Sequence, residues 1–234
     1  MSFDLSTSTA LVTGANRGFG RRLAEQLVQR GATVYAAARR PETVDIQGVR
    51  PIALDVTDTA SVARAAEEAG DVTLLINNAG IATFSSVLTG DLADVNREFE
   101  TNVFGTLNVT RAFVPAIEAN GGGAILNVLS VLSWISFPET AAYCASKAAA
   151  WSVTNALRSE LAPRNIRVSG LHVGYMDTDF VKDVDAPKSD PAVIAKIALD
   201  GLAAGSPEIV ADDLSKQVLA GLSGGVAALY PDVA

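Results

Sequence analysis

The sequence predicts an α/β protein with one doubly wound parallel sheet and helices on both faces of that sheet. Three observations predict this class. Short apolar runs rich in Val, Ile and Ala alternate with longer helical patterns along most of the chain, which is typical of a parallel sheet. The runs are apolar at almost every position, as expected for strands buried on both faces. A chain of 234 residues suits one large domain, so we expect a single domain over residues 1–234.

Each element of this alternation has a predicted place in the chain. The glycine run at residues 121–123 indicates a turn from helix to strand rather than a linker. A shorter tail follows the last predicted strand, and the crossovers between parallel strands are expected to be right-handed. Strands are predicted at residues 9–14, 33–39, 49–56, 72–80, 124–130 and 166–174, and helices at 21–31, 59–70, 91–120 and around 141–147.

Composition argues against several classes of function. A net charge of −8 disfavours a nucleic-acid partner, because phosphate backbones are normally bound by a basic face. No apolar run reaches the length of a membrane helix, and the first ten residues do not resemble a signal peptide, so we expect no membrane partner and a cytoplasmic location. The single cysteine, Cys144, and the single histidine, His172, predict neither an internal disulfide nor a metal site. A small molecule is the expected partner.

The first predicted strand ends in the glycine-rich turn "TGANRGFG", in which Gly14, Gly18 and Gly20 open the next helix. Glycines at such a turn let backbone N–H groups approach a pyrophosphate closely, and the positive helix N-terminus attracts it. A tight turn without a ligand is the alternative reading of this motif alone.

Positive charge collects at the end of the second predicted strand, where an acidic side chain would bind the ribose 2′-hydroxyl of NAD. That place is taken by Ala38, which Arg39 and Arg40 follow, and Arg17 lies in the glycine turn. Three guanidinium groups at this point favour the 2′-phosphate of NADP(H). Solvated surface arginines are the alternative.

The stretch "AAYCASKAAA" places Tyr143 and Lys147 one turn apart on the same face of a predicted helix. An ammonium near a phenol favours the phenolate, so Lys147 is expected to lower the pKa of Tyr143. Tyr143 would then exchange a proton with a carbonyl or alcohol oxygen near neutral pH. Because Tyr and Lys stand four residues apart on many helices, the pair alone is weak evidence.

The chain resembles the short-chain dehydrogenase/reductase family from Thr13 to about Thr178. The glycine turn, "NNAG" at residues 77–80 and the Tyr-x-x-x-Lys motif carry the resemblance, with Ser130 and Asn102 in the family's order. It implies a Rossmann-type fold, with a cofactor half at about 1–125 and a catalytic half at about 126–234.

The resemblance also implies roles for individual residues. Ser130 would bind the substrate oxygen, Tyr143 would exchange the proton, Lys147 would also hold the nicotinamide ribose, and Asn102 would orient a water behind the lysine. The residues expected to bind the cofactor are Gly14, Asn16, Arg17, Gly18, Phe19, Gly20, Arg39, Arg40, Asp55, Val56, Asn78, Ala79, Gly80, Tyr143, Lys147, Gly174, Met176 and Thr178.

These features predict an oxidoreductase that transfers a hydride between NADP(H) and a ketone or secondary alcohol. Residues 183–191 are polar and are expected to form a surface loop that covers the site, whereas the nearer walls are apolar and favour an uncharged apolar or aromatic carbonyl compound. The expected assembly is a homodimer or homotetramer. The residues expected to contact the substrate are Ser130, Trp134, Phe137, Tyr143, Tyr175 and Phe180.

Other readings of the sequence are open or disfavoured. A 3-oxoacyl thioester reductase of the fatty-acid type remains an alternative, as does a non-catalytic dinucleotide sensor on the same fold. "GLSGG" at residues 221–225 matches the nucleophile elbow of hydrolases, but no acid and histidine follow Ser223 in the order that the triad requires. Within the family resemblance, Val173 and Leu129 depart from the usual residues without removing a catalytic group.

Overall fold

Seven parallel strands form one sheet in the computed structural model, which describes residues 3–231. The strand order is β3-β2-β1-β4-β5-β6-β7, and every neighbouring pair is parallel. The order reverses between β1 and β4, so the sheet is doubly wound and the predicted Rossmann-type α/β class is confirmed. The strands are β1 Thr9–Thr13, β2 Thr33–Ala38, β3 Arg50–Ala53, β4 Leu74–Asn77, β5 Gly123–Val128, β6 Ile166–His172 and β7 Glu208–Val210.

Helices connect successive strands and cover both faces of the sheet. The predicted stretch 91–120 is helical, although a π-helical turn at Glu100–Gly105 interrupts its regular hydrogen bonding. The α-helices are α1 Gly18–Gln29, α2 Thr59–Glu68, α3 Leu92–Phe99, α4 Thr106–Ala119, α5 Ala141–Leu161, α6 Pro191–Ala204, α7 Asp213–Gly221 and α8 Gly225–Leu229.

Alternation of side chains along each strand divides the core between the two faces. In β1, Ala10 and Val12 pack on one face with residues of α1 and α6, whereas Leu11 packs on the other with residues of α2, α4 and α5. All three are fully buried. Successive strand residues point to opposite faces, which explains why the strand sequences are apolar throughout.

A buried polar chain ties the central strands to the two helices beneath them. The Asn77 amide donates to Thr110 Oγ1 at 3.0 Å and to Asn127 Oδ1 at 2.9 Å, and the Asn127 amide donates to Thr154 Oγ1 at 2.9 Å. Because buried polar groups are costly unless paired, these bonds fix the depth at which α4 and α5 sit on β4 and β5. Helix α5 carries the predicted catalytic pair.

The C-terminal tail contains a seventh strand that the sequence analysis did not predict. Strand β7 has only three residues, and its partner is the end of β6, so it is too short to produce a recognisable pattern. Asp212 then caps the N-terminus of α7, where its carboxylate accepts from the Ser215 N–H at 2.8 Å. Within residues 3–231, no helix combines the length and apolarity needed to cross a bilayer.

Candidate active site

A cleft of about 1180 Å³ runs along the carboxyl ends of the strands. It includes the point where the strand order reverses between β1 and β4, which is where ligands bind in doubly wound sheets. Every residue predicted to bind the cofactor lines this cleft: Gly14, Asn16, Arg17, Gly18, Phe19, Gly20, Arg39, Arg40, Asp55, Val56, Asn78, Ala79, Gly80, Tyr143, Lys147, Gly174, Met176 and Thr178.

The glycine turn has the geometry of a phosphate cradle. Gly14 adopts φ +66°, a conformation that side chains other than glycine disfavour, and a Cβ at Gly20 would clash with the Gly14 carbonyl oxygen. Arg17 precedes α1, and its side chain does not cap the helix. The first N–H groups of α1 therefore face the cleft without a side-chain acceptor, which fits a cofactor phosphate.

The predicted arginines lie at the same end of the cleft as the glycine turn. Arg17, Arg39 and Arg40 are exposed, and within residues 3–231 none of their three guanidinium groups has a hydrogen bond or an ion pair. Ala38 is buried and offers no carboxylate beside them. This arrangement suits a ribose phosphate better than a free 2′-hydroxyl.

"NNAG" is anchored to the end of β1 by side-chain hydrogen bonds. The Thr13 hydroxyl accepts from the N–H groups of Asn78 and Ala79 at 2.9 and 3.0 Å, and the Asn78 amide donates to the Thr13 carbonyl at 2.8 Å. These bonds hold the backbone of Ala79 and Gly80 along the middle of the cleft.

Three of the predicted catalytic side chains meet at the centre of the cleft. Tyr143 and Lys147 project from the first turns of α5, and Ser130 follows the end of β5. The Ser130 hydroxyl donates to the Val173 carbonyl at 3.5 Å and accepts from the Leu132 N–H at 3.1 Å, and the Lys147 ammonium donates to the Val128 carbonyl at 2.8 Å. The Lys147 Nζ lies 5.6 Å from the centre of the Tyr143 ring.

The prediction that Lys147 lowers the pKa of Tyr143 is wrong for this structure. Burial raises the pKa of the Tyr143 phenol, the charge of Glu98 adds to the rise, and only the hydrogen bond with Ser130 opposes them appreciably. Burial also lowers the pKa of Lys147 to about 8. Burial therefore shifts both groups towards their neutral forms, although with a pKa of about 8 Lys147 is still mostly an ammonium at pH 7, and it donates to the Val128 carbonyl.

Asn102 lies behind the cleft rather than in its lining. Its amide donates to the Ile81 carbonyl and to Ser146 Oγ, and its Oδ1 accepts from the Ile81 N–H, each at 2.9 Å. A Cβ at Gly80 would lie 3.1 Å from this Oδ1 and 3.9 Å from Lys147 Nζ, so only glycine leaves the space between them open. The water-orienting role of Asn102 stays a prediction, because the described contacts occupy its side chain.

The apolar part of the cleft agrees only partly with the predicted substrate walls. Phe137, Tyr175 and Phe180 line it, and the Phe180 ring lies 6.1 Å from the Tyr143 ring. Trp134 does not line it, and its prediction as a substrate wall is wrong. The Trp134 indole turns into the core and stacks on His172 at 3.8 Å.

Several walls of the cleft come from segments that the sequence analysis did not assign to it. Ile81 and Phe84 follow β4, Leu132 follows β5, and Leu214 lies in α7. These residues have no motif of their own, so only the fold brings them to the site. The polar loop at residues 183–191 was expected to cover the site, but none of its residues lines the cleft, and the lining residues just before it end at Val181.

Comparisons with known proteins identify the family. A sequence model of the short chain dehydrogenase family matches residues 8–189, and the chain belongs to this family. A short chain dehydrogenase from Burkholderia cenocepacia J2315, solved in complex with NADP, is 40% identical, with a TM-score of 0.94 and 98% of each chain covered.

Two further relatives show how varied the chemistry of similar proteins is. A 3alpha-hydroxysteroid dehydrogenase from Mediterraneibacter gnavus is 32% identical over 89% of this chain and 88% of its own length. The crystal structure of 3-ketoacyl-(acyl-carrier-protein) reductase from Brucella melitensis, complexed with NADH, is 30% identical, has a TM-score of 0.79, and is matched over 87% of this chain and 93% of that one.

Proposed function

We propose that this oxidoreductase is an NADP(H)-dependent carbonyl reductase or alcohol dehydrogenase that acts on ketones and secondary alcohols. The observation that carries the proposal is the meeting of Ser130, Tyr143 and Lys147 in the cleft that the glycine turn opens. The nicotinamide of a bound cofactor supplies the hydride chemistry, whereas the protein supplies binding, orientation and protons.

The catalytic side chains divide the remaining work. Ser130 and Tyr143 hold the carbonyl oxygen of the substrate, which keeps that oxygen beside the phenolic proton. Tyr143 delivers the proton as general acid, and its raised pKa keeps the phenol protonated until the substrate oxygen accepts it. Lys147, with Asn102 behind it, returns a proton to Tyr143.

The choice of NADP(H) over NAD(H) rests on the adenosine end of the cleft. Arg39 and Arg40 follow the buried Ala38, where an acidic residue would otherwise receive the 2′-hydroxyl, and Arg17 lies in the glycine turn. Guanidinium groups bind phosphate oxygens with charge-assisted hydrogen bonds. The similar Burkholderia cenocepacia protein, which was solved with NADP, supports the same choice.

The proposed substrate is an uncharged ketone with an apolar or aromatic substituent. Ile81, Phe84 and Leu132 face the cleft together with Phe137 and Phe180. Apolar surface that leaves water in such a pocket gains about 25 cal/mol per Å². The steroid specificity in the name of the Mediterraneibacter gnavus relative supports an apolar substrate.

A reduction assay tests the proposal directly. NADPH oxidation is followed with a panel of aryl, medium-chain and cyclic ketones, and NADH serves as the matched cofactor. We expect turnover with NADPH and a higher kcat/KM for an aryl ketone than for a 3-oxoacyl thioester. A clear preference for the thioester would favour the fatty-acid type of reductase, for which the Brucella melitensis relative is the precedent.

One further outcome separates the proposed reductase from a non-catalytic dinucleotide sensor. Tight NADPH binding without turnover of any ketone or alcohol in the panel would favour a non-catalytic sensor.

The assembly state stays a prediction of a homodimer or homotetramer, and sedimentation equilibrium of the purified protein measures it.

A further inference from the structure

His172 is a buried titratable group that the proposed reaction does not use. It ends β6, it is the only histidine of the chain, and its side chain is fully buried. Its Nδ1 lies 3.1 Å from the Ser130 carbonyl oxygen, and its Nε2 lies 2.7 Å from Glu208 Oε2. One ring therefore joins the backbone of the candidate catalytic serine to the carboxylate that begins β7.

Both partners of the His172 ring are hydrogen-bond acceptors. A backbone carbonyl only accepts, and an ionised carboxylate only accepts, so a proton must sit on both ring nitrogens for both bonds to form. Burial raises the pKa of Glu208, but the net pKa is lowered, and apart from the His172 ring the carboxylate has two donors, the Arg158 guanidinium at 3.0 Å and the Trp151 indole N–H at 3.2 Å. Glu208 is thus ionised, and the geometry fits an imidazolium.

Aromatic rings surround this imidazolium in the core. The Trp134 indole stacks on the ring at 3.8 Å with an interplanar angle of 15°, and Trp151 meets it edge-on at 6.2 Å. The face of an indole is the most favourable aromatic surface for a cation. The stacking therefore gives a physical reason why Trp134 faces His172 and not the cleft.

The charged groups around His172 come from two neighbouring elements. Strand β7 supplies Glu208, and helix α5 supplies Arg158, whose guanidinium lies 3.0 Å from Glu208 Oε1. The Trp151 indole N–H donates to the same oxygen at 3.2 Å. On the Ser130 side, the partner of the ring is the uncharged backbone carbonyl.

Helix α5 carries both this network and the candidate catalytic pair. Tyr143, Lys147 and Trp151 recur every four residues, so they share one face of the helix. Two of them point into the cleft, and the third reaches the Glu208 carboxylate. The network therefore spans α5, β6, β7 and the turn that follows β5.

We propose that His172 is a positioning residue whose imidazolium holds the Ser130 carbonyl and thereby fixes the Ser130 hydroxyl against Tyr143. This inference rests on the proposed function of Ser130. The Ser130 backbone is extended, with φ −163° and ψ 159°, and its hydroxyl accepts from the Leu132 N–H at 3.1 Å. The Ser130 carbonyl also accepts from the Ser133 N–H at 3.0 Å, so the His172 bond is a second bond on the backbone that sets the direction of the hydroxyl.

Nitrogen-15 NMR of protein labelled at histidine tests the protonation of the ring without any assay of activity. Since His172 is the only histidine, every ring signal belongs to it when the protein is prepared without a histidine tag. We expect two protonated ring nitrogens at pH 7, and we expect Glu208→Gln to remove one of the two protons. A single protonated nitrogen in the wild-type protein would overturn the imidazolium.

Two substitutions at His172 then separate the contact to Ser130 from the contact to Glu208. The amide nitrogen of Asn can occupy the place of Nδ1 and keep a donor towards the Ser130 carbonyl, whereas the amide nitrogen of Gln can occupy the place of Nε2 and keep only the contact to Glu208. Both variants lose the ring and its charge, so they are matched in their loss of stacking on Trp134.

We expect His172→Gln to lower kcat at least 10-fold and His172→Asn to lower it less than 3-fold, with NADPH affinity changed less than 2-fold in both. Equal losses of kcat would overturn the positioning role and leave His172 as a packing residue. If His172→Gln does not fold, the backbone carbonyl shift of Ser130 in wild type and His172→Asn decides the question. A shift unchanged in His172→Asn supports the hydrogen bond, and a shift moved to the value of a carbonyl that accepts only from the Ser133 N–H contradicts it.

The cofactor measurement and the NMR measurement keep this inference separable from the proposed function. A protein that binds NADPH but reduces no carbonyl compound refutes the proposed reaction while the ring protonation is still measured. A protein that reduces ketones but carries one proton on His172 refutes the inference alone.

Discussion

The cofactor end and the apolar end of the cleft differ in how their residues reach the site. At the cofactor end, the glycine turn occupies consecutive positions between β1 and α1, and Arg39 and Arg40 follow β2 directly. At the apolar end, Ile81, Leu132 and Leu214 come from three separate connections. Binding a phosphate requires backbone N–H groups in one fixed arrangement, whereas an apolar substituent can be bound by any apolar side chains that face the cleft.

The difference explains where the sequence analysis succeeded. Every residue predicted at the cofactor end lines the cleft, while Trp134 was assigned to the wrong wall and Leu214 was missed. A motif with fixed spacing predicts the local geometry of its residues. The position of an aromatic residue in the sequence does not predict whether its ring points into the cleft or into the core.

The largest expected effect is at the centre of the cleft, where the two ends meet. Tyr143→Phe removes the proton donor and should lower kcat about 10²–10⁴-fold, the usual range for general acid catalysis. NADPH affinity should change little, because the cofactor is held mainly through its phosphates. Steady-state kinetics with a ketone and fluorescence titration with NADPH measure the two effects. Retention of most of the activity would contradict the assigned role of Tyr143.

Lys147, which also lies at the centre of the cleft, should make the stability of the folded protein depend on pH. Burial lowers its pKa to about 8, below the ordinary value near 10.4, so the unfolded chain binds more protons than the folded protein between these values. Stability should therefore rise from pH 8 to pH 10, by about 2 kcal/mol for this group. Urea unfolding of wild type and Lys147→Met measures it. The rise should be absent in the variant, and identical pH slopes would contradict the assignment.

The phosphate contact at the cofactor end predicts a selective loss of affinity. Arg39→Ala should weaken NADPH binding by about 1.5–3 kcal/mol, the usual worth of a hydrogen bond to a charged group, which is roughly 10- to 150-fold. NADH binding should hardly change, because NADH has no 2′-phosphate. Arg22→Ala is a matched control, since Arg22 is exposed on α1 and pairs with Glu25. Equal losses for both cofactors in Arg39→Ala would show that Arg39 does not read the phosphate.

The smallest effects should distinguish the true apolar wall from the wrongly assigned one. Phe180→Ala should raise KM for an aryl ketone about 3- to 10-fold, because Phe180 lines the cleft beside Tyr143 and its ring buries apolar surface. Trp134→Phe keeps a ring on His172 and should leave this KM within about twofold. Kinetics of both variants with the same ketone measure the difference. A larger KM change in Trp134→Phe than in Phe180→Ala would reverse the corrected placement.

The sequence predicts those features of this protein that depend on interactions between residues close together in the chain. Strands buried on both faces must be apolar throughout, which reveals the parallel sheet, and Gly14 and Gly20 are required where a side chain would be strained or would clash. Tyr143 and Lys147 share a face because a helix repeats every 3.6 residues. Such constraints act within one turn or one strand, so the order of residues along the chain reports them directly.

Tertiary structure decided what depends on distant segments. Strand β7 exists because three residues find the free edge of β6, and the pKa of Tyr143 rises because packing removes water from the phenol. His172 meets Ser130 and Glu208 across separations of 42 and 36 residues. Desolvation and long-range pairing are properties of the packed chain, and no local spacing encodes them. The sequence alone therefore determined the fold class and the cofactor turn, whereas folding determined the environment of each catalytic group.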